Sequence, residues 1–105
     1  MYQYRARLER VVDGDTVVLS LDLGFHQWRL NQPYRLLRID APEMSQERGK
    51  DARDHLQVLL QNAKVLMAMT QRADSFGRWL VELYIDGENV SDRMVADGFA
   101  SYRTY

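Results

Sequence analysis

Apolar and polar residues alternate along the first two segments of the chain. One apolar face runs through residues 2–11 and another through residues 15–23. A period of two is typical of half-buried strands. Asp13-Gly14 separates two valine-rich runs, which is a strong hairpin signal, so the two segments are predicted to pair as a hairpin.

The next segments predict a third strand and a long helix. The strand covers residues 25–39 and is expected to be interrupted or bulged near Pro33, because proline cannot donate to a strand ladder. Pro42 ends it. A helix is predicted over residues 48–62, with Ser45 available as its cap. Its apolar stripe consists of Ala52, Leu56, Leu59, Leu60 and Ala63.

The last third of the chain predicts two more strands and a short helix. The strands cover residues 64–71 and 78–86. Asn89 or Ser91 can cap the helix, and Gly98 stands where a left-handed residue favours its end.

The order of elements indicates the fold class. Three strands, a helix, two strands and a helix follow one another, and Asp86-Gly87 predicts a turn after the fifth strand. This order is typical of an α+β, mainly β protein built on a five-stranded Greek-key barrel of the oligonucleotide-binding type. One main helix would lie between strands three and four, with a short helix near the C-terminus.

Length and composition favour one globular domain over residues 1–105. Apolar residues make up 46% and charged residues 28% of the chain. Without cysteine, disulfides and thiolate metal sites are excluded. No apolar run approaches a membrane span, so no membrane partner is expected. No leader is visible, which predicts a cytoplasmic protein as written and a secreted one if a leader was removed.

The formal net charge is −1, which argues against coating nucleic acid through bulk positive charge. Arginine nevertheless far outnumbers lysine in this sequence. The planar guanidinium suits bidentate phosphate contacts, so a local anion site is compatible with the composition. From composition alone, salt-bridged surface arginines are the favoured interpretation.

Four acids are candidates for chemistry. Asp13 and Asp15 lie at the predicted hairpin, and Asp40 and Glu43 lie at the end of the third strand. A metal held here would have hard oxygen ligands, which favours Ca²⁺ or Mg²⁺. Turns also recruit aspartate routinely, so Asp13-Gly14-Asp15 alone does not define a site.

Two arginines flank these acids. Arg35 precedes Asp40 by five residues, and Arg78 opens the fifth strand. Guanidinium groups aimed at a reacting phosphodiester would stabilise its transition state, and Glu43 could orient or deprotonate the attacking water. Strand parity puts Arg35 and Asp40 on opposite faces. They meet only if the strand bends or ends before Pro42.

Three stretches, VVDGDTVVLSL, YRLLRIDAPE and FGRWLVELYIDGENVSDRMVADGFASY, together resemble the staphylococcal nuclease (thermonuclease) family. The resemblance implies an oligonucleotide-binding barrel and Ca²⁺-dependent hydrolysis of DNA and RNA at the 5′ oxygen, leaving 3′-phosphorylated products. We expect single-stranded DNA or RNA as the partner and a monomeric protein.

The resemblance also implies roles for residues around the metal. Asp15 and Asp40 would be the Ca²⁺ carboxylates, and Ala41 would supply a backbone carbonyl. Asp13 would serve the turn close to the metal without binding it. Thr16 would support the metal ligands without binding the metal itself.

The implied catalytic groups are Arg35 and Arg78, which would bind phosphate, and Glu43, which would act on the attacking water. Candidate substrate-binding aromatics are Phe76, Tyr102 and Tyr105. The segment after Glu43 is shorter than the archetype's mobile loop, and Ser75 and Phe76 replace a lysine and a tyrosine.

Two other functions remain open at this point. A nucleic-acid-binding module of the same family could have weak or no catalysis. A plain interaction barrel would have no nucleic-acid role, and the arginines beside the acids count against it.

Overall fold

The computed structural model describes residues 2–73 and 77–103. Its strands are β1 (Tyr2–Asp13), β2 (Thr16–Asp22), β3 (Trp28–Leu36), β4 (Ile39–Asp40), β5 (Leu66–Ala73), β6 (Trp79–Ile85), β7 (Glu88–Asn89) and β8 (Ser101–Tyr102). Its helices are α1 (Gly49–Gln61) and α2 (Val90–Ala96). No helix within the described ranges is long and apolar enough to cross a membrane.

The five long strands close into a barrel. β1 pairs antiparallel with β2 and β5, β2 pairs with β3, and β5 pairs with β6. The parallel pairing of β3 with β6 closes the cylinder. The short β4 and β8 form a separate two-stranded ladder. The predicted five-stranded barrel with a main helix between its third and fourth long strands is therefore confirmed.

The barrel interior is filled by the alternating apolar positions that the sequence indicated. Val17, Leu19 and Leu21 of β2 are buried there, together with Tyr34. Ala52, Leu56, Leu59 and Leu60 of α1 belong to the same core, and α1 packs against β1. Each fully buried leucine contributes about 1.5–3 kcal/mol, so this stripe anchors α1 to the barrel.

The first hairpin turn differs in detail from its prediction. Its two-residue loop is Gly14-Asp15, because Asp13 still pairs with Thr16. Gly14 is not among the left-handed glycines. A Cβ on Gly14 would stand 2.6 Å from the Cβ of Ala41 and 2.8 Å from that of Ala52. Gly14 therefore permits close packing of the turn rather than an unusual backbone angle.

The third predicted strand is wrong in its bounds. β3 ends at Leu36, and a turn with Arg38 at φ 69° separates it from β4. The expected irregularity near Pro33 is confirmed, since the pairing of β2 with β3 shifts register there and Asn31 has a φ of 53°.

The helix ends test the capping predictions. The Ser45 cap is wrong, because α1 begins after Arg48 without a side-chain cap. Asn89 caps α2 by accepting the N–H of Asp92 at 3.0 Å. Ser91 instead donates to the carbonyl of Leu37 at 2.8 Å. Gly98 lies just beyond α2 with a φ of 84°, as predicted.

Candidate active site

The candidate site forms where the β1–β2 turn meets the end of β3. The N–H of Leu36 donates to the backbone carbonyl of Asp15 at 2.8 Å, which fixes the turn beside β3. The turn at Arg38 then interrupts the strand before Asp40, so strand alternation no longer places Arg35 and Asp40 on opposite faces. As a result Arg35 and Asp40 meet, and Arg35 Nη2 lies 2.7 Å from Asp40 Oδ1.

Arg35 connects both candidate metal carboxylates. Its Nη2 also lies 3.2 Å from Asp15 Oδ2, and its Nη1 donates to the carbonyl of Leu36 at 2.9 Å. The side chain is buried, so the two carboxylates and this carbonyl replace water around the guanidinium. Such charge-assisted bonds in a desolvated setting hold the group in one orientation.

Asp15 is a buried carboxylate with several hydrogen bonds. Its Oδ2 accepts the N–H of Ala41 at 2.9 Å, and its Oδ1 accepts the Thr16 hydroxyl at 3.2 Å. Burial raises the pKa of Asp15 to about 6, and its contact with the Asp13 side chain acts in the same direction. The Ala41 N–H and the Arg35 charge lower this pKa, but they do not offset the loss of water.

The side chain of Asp13 forms a hydrogen bond within the β1–β2 turn. Its Oδ1 accepts the backbone N–H of Asp15 at 3.1 Å, which holds the two-residue loop. Thr16 also links the turn to the second arginine, since Arg78 Nη1 donates to Thr16 Oγ1 at 3.4 Å. The structure thus brings Asp13, Asp15, Thr16 and Arg78 to one edge of the barrel.

A further arginine, Arg103, reaches the site and was not predicted from the sequence. Its Nη1 donates to Asp40 Oδ1 at 3.1 Å, and its backbone N–H donates to the carbonyl of Arg38 at 2.7 Å. The β4–β8 ladder brings these residues together although they are far apart in the sequence. No local pattern indicates a contact across 63 positions, so the sequence carries no signal for it.

Glu43 is exposed in the turn that follows Pro42. Its N–H donates to Gln46 Oε1 at 2.7 Å, and its carbonyl accepts the N–H of Gln46 at 2.9 Å. These two bonds fix the backbone of Glu43, which follows Asp40 by three residues in the sequence. The position leaves the carboxylate accessible to a substrate or to water.

Gly49 should be required for this turn. A Cβ at Gly49 would overlap the carbonyl oxygen of Glu43. Gly49→Ala must therefore displace backbone, and we expect it to lower the free energy of unfolding by about 2 kcal/mol in urea denaturation. Lys50→Ala, one position along and exposed, is the control and should change it by less than about 0.5 kcal/mol. Equal stability of the two variants would contradict the packing described here.

Of the three candidate substrate-binding aromatics, one lies among the described residues. Tyr102 is exposed, and its hydroxyl donates to Asp92 Oδ1 at 2.8 Å, beside α2. Phe76 and Tyr105 lie outside the described residues. The role of all three in binding substrate stays a prediction.

The oxygen donors fit a hard divalent cation with few protein ligands. Within residues 2–73 and 77–103, no group of three or more histidines, cysteines or acids is arranged to hold a metal. Asp15 and Asp40 nevertheless both approach one positively charged nitrogen of Arg35. A cation bound by the same two carboxylates would have to replace that nitrogen, and water or substrate would complete its oxygen shell.

Comparison with known proteins identifies the family. The family model described as "Staphylococcal nuclease homologue" matches residues 33–105. The chain therefore belongs to this family, as its three sequence motifs indicated.

Three curated relatives illustrate the similarity. An uncharacterized endonuclease of Escherichia coli O157:H7 is 37% identical over 95 residues, covering 90% of this chain and 58% of that protein. The thermonuclease of Staphylococcus hyicus is 29% identical over 103 residues, covering 91% of this chain and 57% of that protein. The SPbeta prophage-derived endonuclease YokF of Bacillus subtilis (strain 168) is 30% identical over 101 residues, covering 89% and 32%. The chain thus spans from about a third to just over half the length of these relatives.

Proposed function

We propose that this chain is a Ca²⁺-dependent nuclease that hydrolyses phosphodiester bonds of single-stranded DNA or RNA. Water would attack in line and leave 3′-phosphorylated products. The observation that carries the proposal is one buried arginine, Arg35, shared by the carboxylates of Asp15 in the β1–β2 turn and Asp40 in β4. Family membership and relatives named endonuclease and thermonuclease support this reaction.

The metal would be held by oxygen atoms alone. Asp15 and Asp40 would contribute carboxylates and Ala41 its carbonyl, a donor set that suits Ca²⁺. Nucleases of this family are generally metal-dependent, which supports a divalent cation at this place. When bound, the ion would polarise a phosphoryl oxygen and neutralise charge that develops on it.

The arginines and Glu43 would supply the remaining chemistry. Arg35 and Arg78 would donate to the non-bridging oxygens, where negative charge grows during attack. Thr16 would hold Arg78 in place through its hydroxyl. Glu43 would accept a hydrogen bond from the attacking water and take its proton.

Glu43→Gln should slow cleavage by about a hundredfold, because the amide keeps the shape but cannot take the proton. The measurement is the single-turnover rate on an end-labelled single-stranded oligonucleotide with saturating Ca²⁺. Glu47→Gln, another exposed acid in the same segment, is the matched control and should cleave at the wild-type rate. Equal rates for Glu43→Gln and wild type would remove Glu43 from the mechanism.

The chemical identity of the product ends tests which P–O bond of the phosphodiester is broken. Fragments with 5′-hydroxyl and 3′-phosphate ends should accept label from a polynucleotide kinase without prior phosphatase treatment. Fragments that need phosphatase first would have 5′-phosphates and would contradict attack with departure of the 5′ oxygen.

A binding module without turnover is the second candidate. It is favoured by the ion pairs of Arg35 with both carboxylates, since these must be exchanged before Arg35 can hold a phosphate. Tight oligonucleotide binding with undetectable cleavage at saturating Ca²⁺ would support this candidate over the enzyme.

A further inference from the structure

The open end of the barrel holds a cavity that is separate from the cluster of Asp15, Arg35 and Asp40. Its volume is about 660 Å³, and all five long strands contribute to its lining. We call it the barrel mouth, and the lining side chains used below are Tyr2, Tyr4, Arg29, Arg72 and Trp79. Barrel mouths of this size commonly bind small molecules or parts of larger ones.

Aromatic rings are presented to solvent in the barrel mouth. Trp79 has the same strand parity as Val81 and Leu83, which are buried in the core, so it extends the inner face of β6 to the opening. It remains 38% exposed, and Tyr2 is exposed beside the half-buried Tyr4. Flat aromatic faces at an open site offer stacking surfaces for nucleobases.

The charge of the barrel mouth is opposite in sign to that of the chain. The chain has a net charge of −1, yet the described lining contains Arg29 and Arg72 and no aspartate or glutamate. Arg29 lies over the ring of the buried Tyr34 at 5.5 Å and donates to its hydroxyl at 2.6 Å. A ligand with an aromatic ring and a negative charge matches this surface.

The barrel mouth and the candidate active site share two strands. Trp79 directly follows Arg78, which contacts Thr16 in the active site. Trp79 also pairs with Tyr34, the residue before Arg35. A chain of nucleotides with one phosphate between Arg35 and Arg78 therefore has a route across β6 into the barrel mouth.

We propose that the barrel mouth binds an unpaired nucleobase of a single-stranded nucleic acid, with an adjoining phosphate near Arg72. The base stacks against Trp79 and the tyrosines, which a base paired inside a duplex cannot do. This inference rests on the proposed function for the identity of the substrate, but binding can be measured without catalysis.

The test uses a fluorescently labelled oligothymidylate of roughly ten nucleotides, within the span of one such barrel, in the presence of a chelator. Trp79→Leu should bind it about tenfold more weakly than wild type, as expected for loss of base stacking. Trp28→Leu is the matched control, because Trp28 is 40% exposed but lies outside the barrel mouth. It should bind like wild type in the same anisotropy titration.

A second pair of variants tests the proposal without relying on correct folding of Trp79→Leu. Arg72→Gln changes an exposed side chain and should weaken binding about threefold through loss of a phosphate contact, whereas Arg5→Gln on the outer face of β1 should not. Wild-type affinity in both Trp79→Leu and Arg72→Gln would overturn the proposal. So would equal affinity of wild type for the single strand and for a duplex of the same length.

Cleavage assays separate this inference from the proposed function. With Ca²⁺, Trp79→Leu should raise the KM for the oligothymidylate about tenfold, whereas Trp28→Leu should leave it unchanged. A wild-type KM in Trp79→Leu would overturn the assignment of the barrel mouth. Undetectable cleavage by wild type, together with the binding defect of Trp79→Leu, would contradict the nuclease and support the binding site.

Discussion

Arg35→Lys is expected to slow Ca²⁺-dependent cleavage by about a thousandfold. Arg35 contacts Asp15, Asp40 and the carbonyl of Leu36 through two nitrogens of a planar fork. A lysine has one compact charge and cannot hold these groups while donating to two phosphate oxygens. An arginine that stabilises a phosphoryl-transfer transition state commonly contributes 10³-fold or more to the rate, which is the basis of the expected size.

The check is the single-turnover rate of the variant on the same labelled oligonucleotide. Arg93→Lys is the matched control, because Arg93 also bridges two carboxylates, Glu88 and Asp97, but does so on α2. It should cleave at the wild-type rate. If Arg35→Lys kept more than about a tenth of wild-type activity, Arg35 would not be the principal phosphate ligand.

Asp15→Asn should lose cleavage altogether and yet stabilise the metal-free protein. An amide is a poor ligand in place of a carboxylate that would bind Ca²⁺, so we expect at least a thousandfold loss of rate. The amide can keep both local bonds, because its oxygen can accept the N–H of Ala41 and its nitrogen can donate to Thr16. Asp15→Asn should therefore raise the free energy of unfolding of the metal-free protein and lower the rate of cleavage.

The stability gain follows from the raised pKa of Asp15. Burial raises that pKa to about 6, so the folded protein binds the proton more tightly than the unfolded chain does. The stability gained from the proton is complete below about pH 4 and is lost as the pH rises through 6. At pH 7 the ionised carboxylate costs up to about 3 kcal/mol, which Asp15→Asn avoids.

Urea unfolding in a chelator between pH 4 and pH 7 measures this effect. Asp15→Asn should be more stable than wild type at pH 7, with an advantage that shrinks towards pH 4. Asp13→Asn, which keeps an acceptor for the N–H of Asp15, should weaken cleavage far less. A destabilising effect of Asp15→Asn at pH 7 would contradict the assignment of Asp15 as a carboxylate whose ionised form is destabilised by burial.

Local patterns predicted most of the barrel correctly. Alternation identified β1 and β2 because each strand buries one face, and the apolar stripe identified α1 because the helix buries one side. Asp86-Gly87 turns the chain with both residues at positive φ, as the Asp-Gly signal predicts. These features depend on residues that are close together in sequence.

Features that depend on tertiary contacts either were not predicted from the sequence or were predicted only on the condition that the chain bends. The turn at Arg38 breaks the third strand where an arginine adopts a left-handed angle, a choice for which local propensity gives no warning. Ser45 was expected as a cap, but the turn between Glu43 and Gln46 delays the start of α1. Arg103 reaches Asp40 through the β4–β8 ladder, whose strands are too short to show a period.

The sequence predicted the members of the candidate site but not how they meet. The acids and arginines were selected by their chemistry and by the family motifs, but parity left Arg35 and Asp40 on opposite faces. The break at Arg38 brings them together. The burial that raises the pKa of Asp15 likewise depends on how closely Gly14 lets the turn pack against Ala41 and Ala52.

A Ca²⁺ titration of cleavage by wild type and Asp15→Asn, run in parallel with a chelator blank, decides whether Asp15 belongs to a metal-dependent nuclease site. We expect saturable cleavage of a single-stranded oligonucleotide by wild type, none in the chelator, and none by Asp15→Asn at any Ca²⁺ concentration. Chelator-resistant cleavage by wild type, or undiminished cleavage by Asp15→Asn, would contradict a metal-dependent nuclease site at the β1–β2 turn.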